Sequence, residues 1–405
     1  MPIGYLVTVA IVALGTLLAL RPVRRPLVLG VVSWVFASLL NELPFIAFLW
    51  LLASTLSTAS GGGIHSPGSW ATVGLAALTT VGLAVVIRRA LSTRTALDDA
   101  LSEGLGIDWD SAPNGATDAW WHRRLPVVRI LVGPLFFRRR DVQRIANISY
   151  GDAGRKNLLD IYRNSSNPTG APVLVHLHGG ALFMGKKNRE ARSLLYQLAS
   201  HGWVCISANY RLRPAAHFPD HLIDVKKVVA WVRANGEGFG ADPSVLFLAG
   251  SSSGAQLTAL AALTPNDPAF QPGFEDIDTS ITAAICMHGY YGNVDSAEPS
   301  PASPLAYDAT NAPPFLVVHG ELDSVVPVEA ARAFVGDLLV SSLNPVVYAE
   351  LPGGHHGFDR FHSIRFDSVV DGIEAFAGWV NSGGGVPQPP LAALTRGPGP
   401  VADAG

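Results

Sequence analysis

The sequence predicts an α/β fold: a mostly parallel sheet with helices on both faces, preceded by an apolar helical module. Three observations carry this. Six short apolar runs between residues 172 and 353 alternate with stretches of helical pattern. Most of those runs are continuous rather than alternating, as in strands buried on both faces of a parallel sheet. Residues 1–90 are far more apolar than the rest of the chain, with no charged side chain over 1–20 and only Glu42 charged between Leu27 and Ile87.

The composition limits the possibilities. The chain has 405 residues, 48% hydrophobic and 15% charged, with a formal net charge of −3. Charge so sparse fits a membrane segment, and the near-neutral balance gives no support for a nucleic-acid partner. Cys205 and Cys286 both sit in apolar runs. Two such residues build neither a disulfide framework nor a metal site, so buried free thiols are expected.

From the N-terminus, three stretches reach the length of a membrane span, at 3–20, 34–56 and 69–87. "NELP" at 41–44 is a kink in the middle stretch or a loop between two shorter segments. The first stretch lacks the basic start of a signal peptide and is followed by further apolar segments. Arg21, Arg24 and Arg25 follow the first stretch, and Arg88, Arg89 and Arg94 follow the third. Basic loops stay in the cytoplasm. Three spans put both clusters on one side and the remainder of the chain in the cytoplasm; four would separate them. Glu42 reads as a loop or interface residue, with a functional intramembrane carboxylate as the alternative. Residues 91–145 form a bridging or cap segment. Within it, residues 118–144 mix basic, aromatic and aliphatic side chains as interfacial helices do. A catalytic domain is expected over 146–381. A disordered tail rich in Gly, Pro and Ala follows at 382–405.

The predicted strands are 172–180, 203–210, 244–251, 282–290, 314–321 and 345–353. Helices are expected at about 188–201, 221–235, 254–263, 328–342 and 363–380. The chemistry lies in the turns between them. "GSSSG" at 250–254 joins a strand to a helix. A G-x-S-x-G there is a nucleophile elbow, a strained turn that lifts the serine above the sheet end. Only Ser252 has glycine at both −2 and +2. Ser253 follows it, and the amide after a nucleophile faces the oxyanion. "LHGGALFMG" at 177–185 offers adjacent glycines whose N–H groups can converge on one oxygen. A serine nucleophile needs a base, and the base needs an orienting carboxylate. "HGELDSVVP" at 319–327 supplies Glu321 and Asp323, of which Asp323 lies further into the loop. "GGHHGFD" at 353–359 supplies His355 and His356.

With these motifs the chain resembles the hormone-sensitive-lipase-like family of α/β-hydrolases over about residues 145–380. The resemblance rests on "HGGA" at 178–181 with Gly185, "NYRLRPAAHFP" at 209–219, "GSSSG", "GELDSVVP" at 320–327 and "HHGF" at 355–358. It implies the α/β-hydrolase fold and a catalytic triad of Ser252, Asp323 and His356, the histidine before Gly-Phe. It also implies an oxyanion hole built from the amides of Gly179, Gly180 and Ser253. Ala181 stands where the family often has a third glycine, and "YRLRPA" replaces the family's usual "YRLAPE". The apolar N-terminus is not part of the general family pattern. The expected activity is hydrolysis of apolar acyl esters or lipids by a membrane-anchored serine esterase or lipase, without metal or cofactor. An acyltransferase or amidase with the same triad is the alternative. A non-catalytic membrane interaction module is less favoured, because every triad member is present.

Overall fold

A computed structural model describes residues 3–106, 109, 125–292 and 300–383. Eight strands form one sheet in the order β1-β2-β4-β3-β5-β6-β7-β8. They are β1 (Val142–Ser149), β2 (Leu158–Asn164), β3 (Ala171–Leu177), β4 (Val204–Ala208), β5 (Ala241–Ser251), β6 (Ala283–Met287), β7 (Phe315–Gly320) and β8 (Val346–Leu351). β2 runs antiparallel to β1 and β4, and every pairing from β4 through β8 is parallel. The six expected strands are all present. β1 and β2 are additional, and they form the antiparallel edge.

Side chains alternate across the sheet, as a period of two requires. Leu174, Cys205, Phe247, Ile285, Leu316 and Val347 face one helical layer: α5 (Thr93–Leu105), α7 (Arg192–Ser200) and α11 (Ile364–Asn381). Val173, Ile206, Leu248, Cys286 and Val317 face the other layer: α8 (Asp220–Asn235), α9 (Ser253–Leu263) and α10 (Val328–Ser341). Burial on both faces explains the continuous apolar runs. Both cysteines are buried free thiols. Within the segment expected as a cap, α5 buries Leu97, Leu101 and Leu105 in the same core as Val347, Ala349, Leu351 and Trp379. The described part of 118–144 holds one short helix, α6 (Val127–Val132), ahead of β1. Residues 118–124 and almost all of the tail expected at 382–405 lie outside the described residues.

The apolar module comprises α1 (Ile3–Leu20), α2 (Leu27–Glu42), α3 (Pro44–Ser60) and α4 (Pro67–Leu91). α1 and α4 are each long and apolar enough to cross a membrane. The middle stretch is not one straight helix over 34–56. α2 and α3 meet at an angle of 85°. The cause is local: Leu43 is non-helical at φ −124°, ψ 49°, and it precedes Pro44, whose ring disfavours the α region for its neighbour. "NELP" is therefore a sharp bend between two helices.

The two halves of that bent pair do different things. The α1 and α3 helices are antiparallel, with Tyr5 Oη 3.1 Å from Thr55 Oγ1. Tyr5, Val9, Leu51 and Ala76 form a small cluster of their own. At the opposite end, Ala19, Ala37 and Val86 cluster near the hydrolase loops, where His355 Nε2 donates to the Ala19 carbonyl at 3.0 Å. α2 lies along the sheet-bearing body for its whole length. Gly30 touches Ser324, Trp34 touches His356, and Glu42 reaches α11. Glu42 is no isolated intramembrane carboxylate. It accepts from Arg365 Nη1 at 2.6 Å, from Ser363 Oγ at 2.6 Å and from Asn41 Nδ2 at 3.0 Å.

Candidate active site

The parallel strands end together, and their C-terminal turns carry the candidate residues. β5 runs directly into α9 through Ser252, which sits at φ 53°, ψ −118°. A non-glycine residue holds such a conformation only where its surroundings enforce it. The enforcement is visible. The Ser252 amide donates to the Met287 carbonyl at 2.9 Å. A Cβ on Gly250 would lie 2.2 Å from the Gly254 carbonyl oxygen, and one on Gly254 would lie 2.2 Å from that of Leu177. Both glycines are required by close backbone approach, which is the physical content of the G-x-S-x-G spacing.

Ser252 Oγ lies 2.9 Å from His356 Nε2, and His356 Nδ1 lies 2.7 Å from Asp323 Oδ2. The three predicted side chains thus meet, although they come from the turns after β5, β7 and β8. Asp323 is buried, and its Oδ1 accepts the amides of Val325 and Val326, each at 2.8 Å. Burial alone would raise this carboxyl. His356, together with hydrogen bonds from His319 and His356, instead holds it well below the ordinary carboxylate range. Glu321, the other acid considered, accepts the Gly353 amide at 2.9 Å and so braces the histidine turn. His355 points the opposite way, toward α1, as its bond to Ala19 requires.

A relative from Mycobacterium tuberculosis, named "Probable carboxylic ester hydrolase LipM", is 37% identical over 403 residues, covering 92% of each chain. That match is too long to be confined to the sheet-bearing portion. The chain belongs to the hormone-sensitive-lipase-like family of α/β-hydrolases. Esterase LipQ of the same organism is 39% identical over 267 residues, covering 59% of this chain and 63% of LipQ. The BD-FAE family model matches residues 159–295. Among solved structures, the apo form of Thermogutta terrifontis esterase 2 superposes with a TM-score of 0.52 at 21% identity. That likeness covers 60% of this chain and 97% of the esterase, and it is one of fold.

In this member of the family the glycine loop departs from expectation at one residue. The Gly179 amide donates to Glu190 Oε2 at 2.6 Å, so it is not free to receive a substrate oxygen. Glu190 is buried, and burial raises its carboxyl, as does nearby Asp359. The amides of Gly180 and Ser253, the other two predicted donors, have no acceptor among the described residues; neither has that of Ala181. The Ser253 side chain also takes part, since its Oγ accepts the Leu182 amide at 3.3 Å. The "YRLRPA" segment supports the same loop. Tyr210 stacks on His178 with centroids 4.4 Å apart and donates to the His178 carbonyl at 2.6 Å.

Sequence reasoning missed a second network directly behind the elbow. Ser251 Oγ donates to Asp359 Oδ2 at 2.5 Å and lies 3.0 Å from His176 Nε2. His288 Nε2 lies 3.2 Å from Asp359 Oδ1, and its ring meets that of His356 with centroids 4.6 Å apart. Ser251, which occupies an x position of the elbow, is therefore a buried hydrogen-bonding residue rather than a spacer. "GFD" at 357–359 contained the acid, but nothing in its spacing showed where it would turn.

Proposed function

We propose that this chain, a carboxylesterase by family, works as a serine hydrolase held on a membrane. The observation that carries the chemistry is the continuous hydrogen-bonded line from Ser252 through His356 to Asp323, set on a strained elbow. Ser252 Oγ attacks the ester carbonyl carbon as its proton passes to His356 Nε2. The carbonyl oxygen becomes an oxyanion and is met by the amides of Gly180, Ala181 and Ser253; one such donor is worth about 3–4 kcal/mol. His356 then protonates the leaving alcohol oxygen, and the C–O bond breaks to give an acyl-serine. Water attacks that acyl group, losing its proton to His356, and the acid departs as Ser252 recovers its own. Asp323 stays ionised throughout and stabilises the imidazolium.

The membrane part of the reading has separate support. α1 and α4 run toward the hydrolase, and α3 runs away from it with 17 residues, a rise of about 26 Å. That approaches the hydrocarbon thickness of about 30 Å. Crossings by α1, α3 and α4, with α2 lying against the hydrolase, leave both basic clusters at the hydrolase end. There Arg24 donates to the Glu321 carbonyl at 2.7 Å, and Arg89 packs beside Gly353. By the positive-inside tendency that end faces the cytoplasm. Phe183 and Met184, just past the candidate oxyanion amides, are 55% and 69% exposed, which suits an apolar acyl ester.

The test uses the full chain in detergent with p-nitrophenyl esters of increasing acyl length. His356→Ala is expected to lose activity by at least about 10³-fold, and His355→Ala to keep it. An active His356→Ala variant would overturn the triad.

A further inference from the structure

α2 touches both loops that hold the acid and the base. A Cβ on Gly30 would lie 2.4 Å from the Ser324 carbonyl oxygen, so only glycine allows the helix this close. Ser324, which follows Asp323, donates from Oγ to the Gly30 carbonyl at 3.0 Å. One turn further on, Trp34 Nε1 donates to the carbonyl oxygen of His356 at 2.7 Å. The indole meets the imidazole edge to face, with centroids 6.2 Å apart and planes at 77°. The Arg360 guanidinium lies 5.0 Å over the same indole.

These contacts bear on a specific geometric problem. His356 must present Nδ1 to one loop and Nε2 to another, and an error near 1 Å in such a constellation costs about 10²-fold in rate. Its side chain departs from a turn that carries Gly353, Gly354 and Gly357, of which Gly353 and Gly357 hold positive φ at 63° and 70°. The bond from Trp34 fixes the peptide plane that leaves His356. The Gly30–Ser324 contact fixes the acid loop against the same helix. We propose that Trp34 is a positioning residue for His356, and that α2 is consequently part of the active-site framework rather than only of the apolar module. This rests on the triad reading above. The opposite face of α2 is apolar and open, with Val28 and Val35 exposed, so a single helix separates the base from the module's surroundings.

The experiment uses the full chain in detergent and a short, soluble p-nitrophenyl ester. Trp34→Phe keeps a ring over Arg360 and removes the N–H. It is expected to lower kcat about tenfold while KM stays within about twofold, because the lost bond positions the base rather than the substrate. Labelling of the serine by a fluorophosphonate should slow in the same proportion. A merely structural role would lower the unfolding temperature and leave kcat and the labelling rate of the folded enzyme unchanged; that result overturns the proposal. Should Trp34→Phe fail to fold, replacement of Trp34 by benzothienylalanine preserves the shape without the donor, and the same two outcomes decide. Ser252→Ala and His356→Ala run alongside. Activity in either removes the triad reading itself. Inactivity in both, with wild-type kcat in the Trp34 variants, removes only the positioning role.

Discussion

Ser252, His356 and Asp323 are joined by hydrogen bonds of 2.9 and 2.7 Å, and the turns and strands around them carry several buried imidazoles. Burial pushes His176, His178 and His355 down to about 4, against opposition from Asp359 for His176 and from carbonyl acceptors for the other two. Unfolded, each would bind a proton near pH 6.5. Between pH 6.5 and 4 the unfolded chain therefore holds more protons than the folded one, and stability falls as pH falls through that window. Each histidine contributes up to about 1.4 kcal/mol per pH unit. Asp323 acts lower on the scale: its contribution is complete above the ordinary carboxylate range and is lost only as pH drops below it. Thermal unfolding of the detergent-solubilised chain should show a clearly lower midpoint at pH 5 than at pH 7.5. A midpoint flat across that interval would contradict this account of the buried histidines.

Elements explain which parts of the molecule were legible beforehand. The central strands are buried on both faces, and "VLFLA" or "PFLVVHG" can hardly be read otherwise. β1 and β2 escaped notice because they form an edge and carry polar side chains. Asp160 of β2 is nevertheless buried, held by Arg144 at 2.5 Å and Lys187 at 2.7 Å. The candidate triad was readable because each member sits in a turn with its own glycine signature. The commitment of the Gly179 amide to Glu190 was not, since that acid folds back from outside any motif. Trp34 and His356 are 322 residues apart, and nothing local to either announces the other. Glu42 illustrates the same limit: it looked like a lone charge in an apolar stretch, and its partner Arg365 lies at the start of α11. Glu42→Gln would leave the fully buried Arg365 without a counter-charge, at a cost of about 3–5 kcal/mol. A large drop in the unfolding midpoint is expected; a midpoint within a degree or two of wild type would show the pair to be dispensable.

At the scale of the whole molecule, hydrolase and apolar module are packed as one body through α2, the end of α1 and the end of α4. If α1, α3 and α4 cross and α2 does not, a reporter that fluoresces only in the cytoplasm, fused after Gly405, should be bright. A dark reporter on well-expressed protein, with external protease cutting the hydrolase in intact cells, would place the hydrolase outside and overturn this topology. The central claim is that one serine of the run at 251–253 does covalent chemistry within this assembly. The most direct measurement is fluorophosphonate treatment of the full chain in membranes, followed by mass-spectrometric location of the adduct. The adduct is expected on Ser252, with its formation abolished by Ser252→Ala and greatly slowed by His356→Ala. An adduct on Ser251 or Ser253, or labelling that persists in Ser252→Ala, would contradict the account.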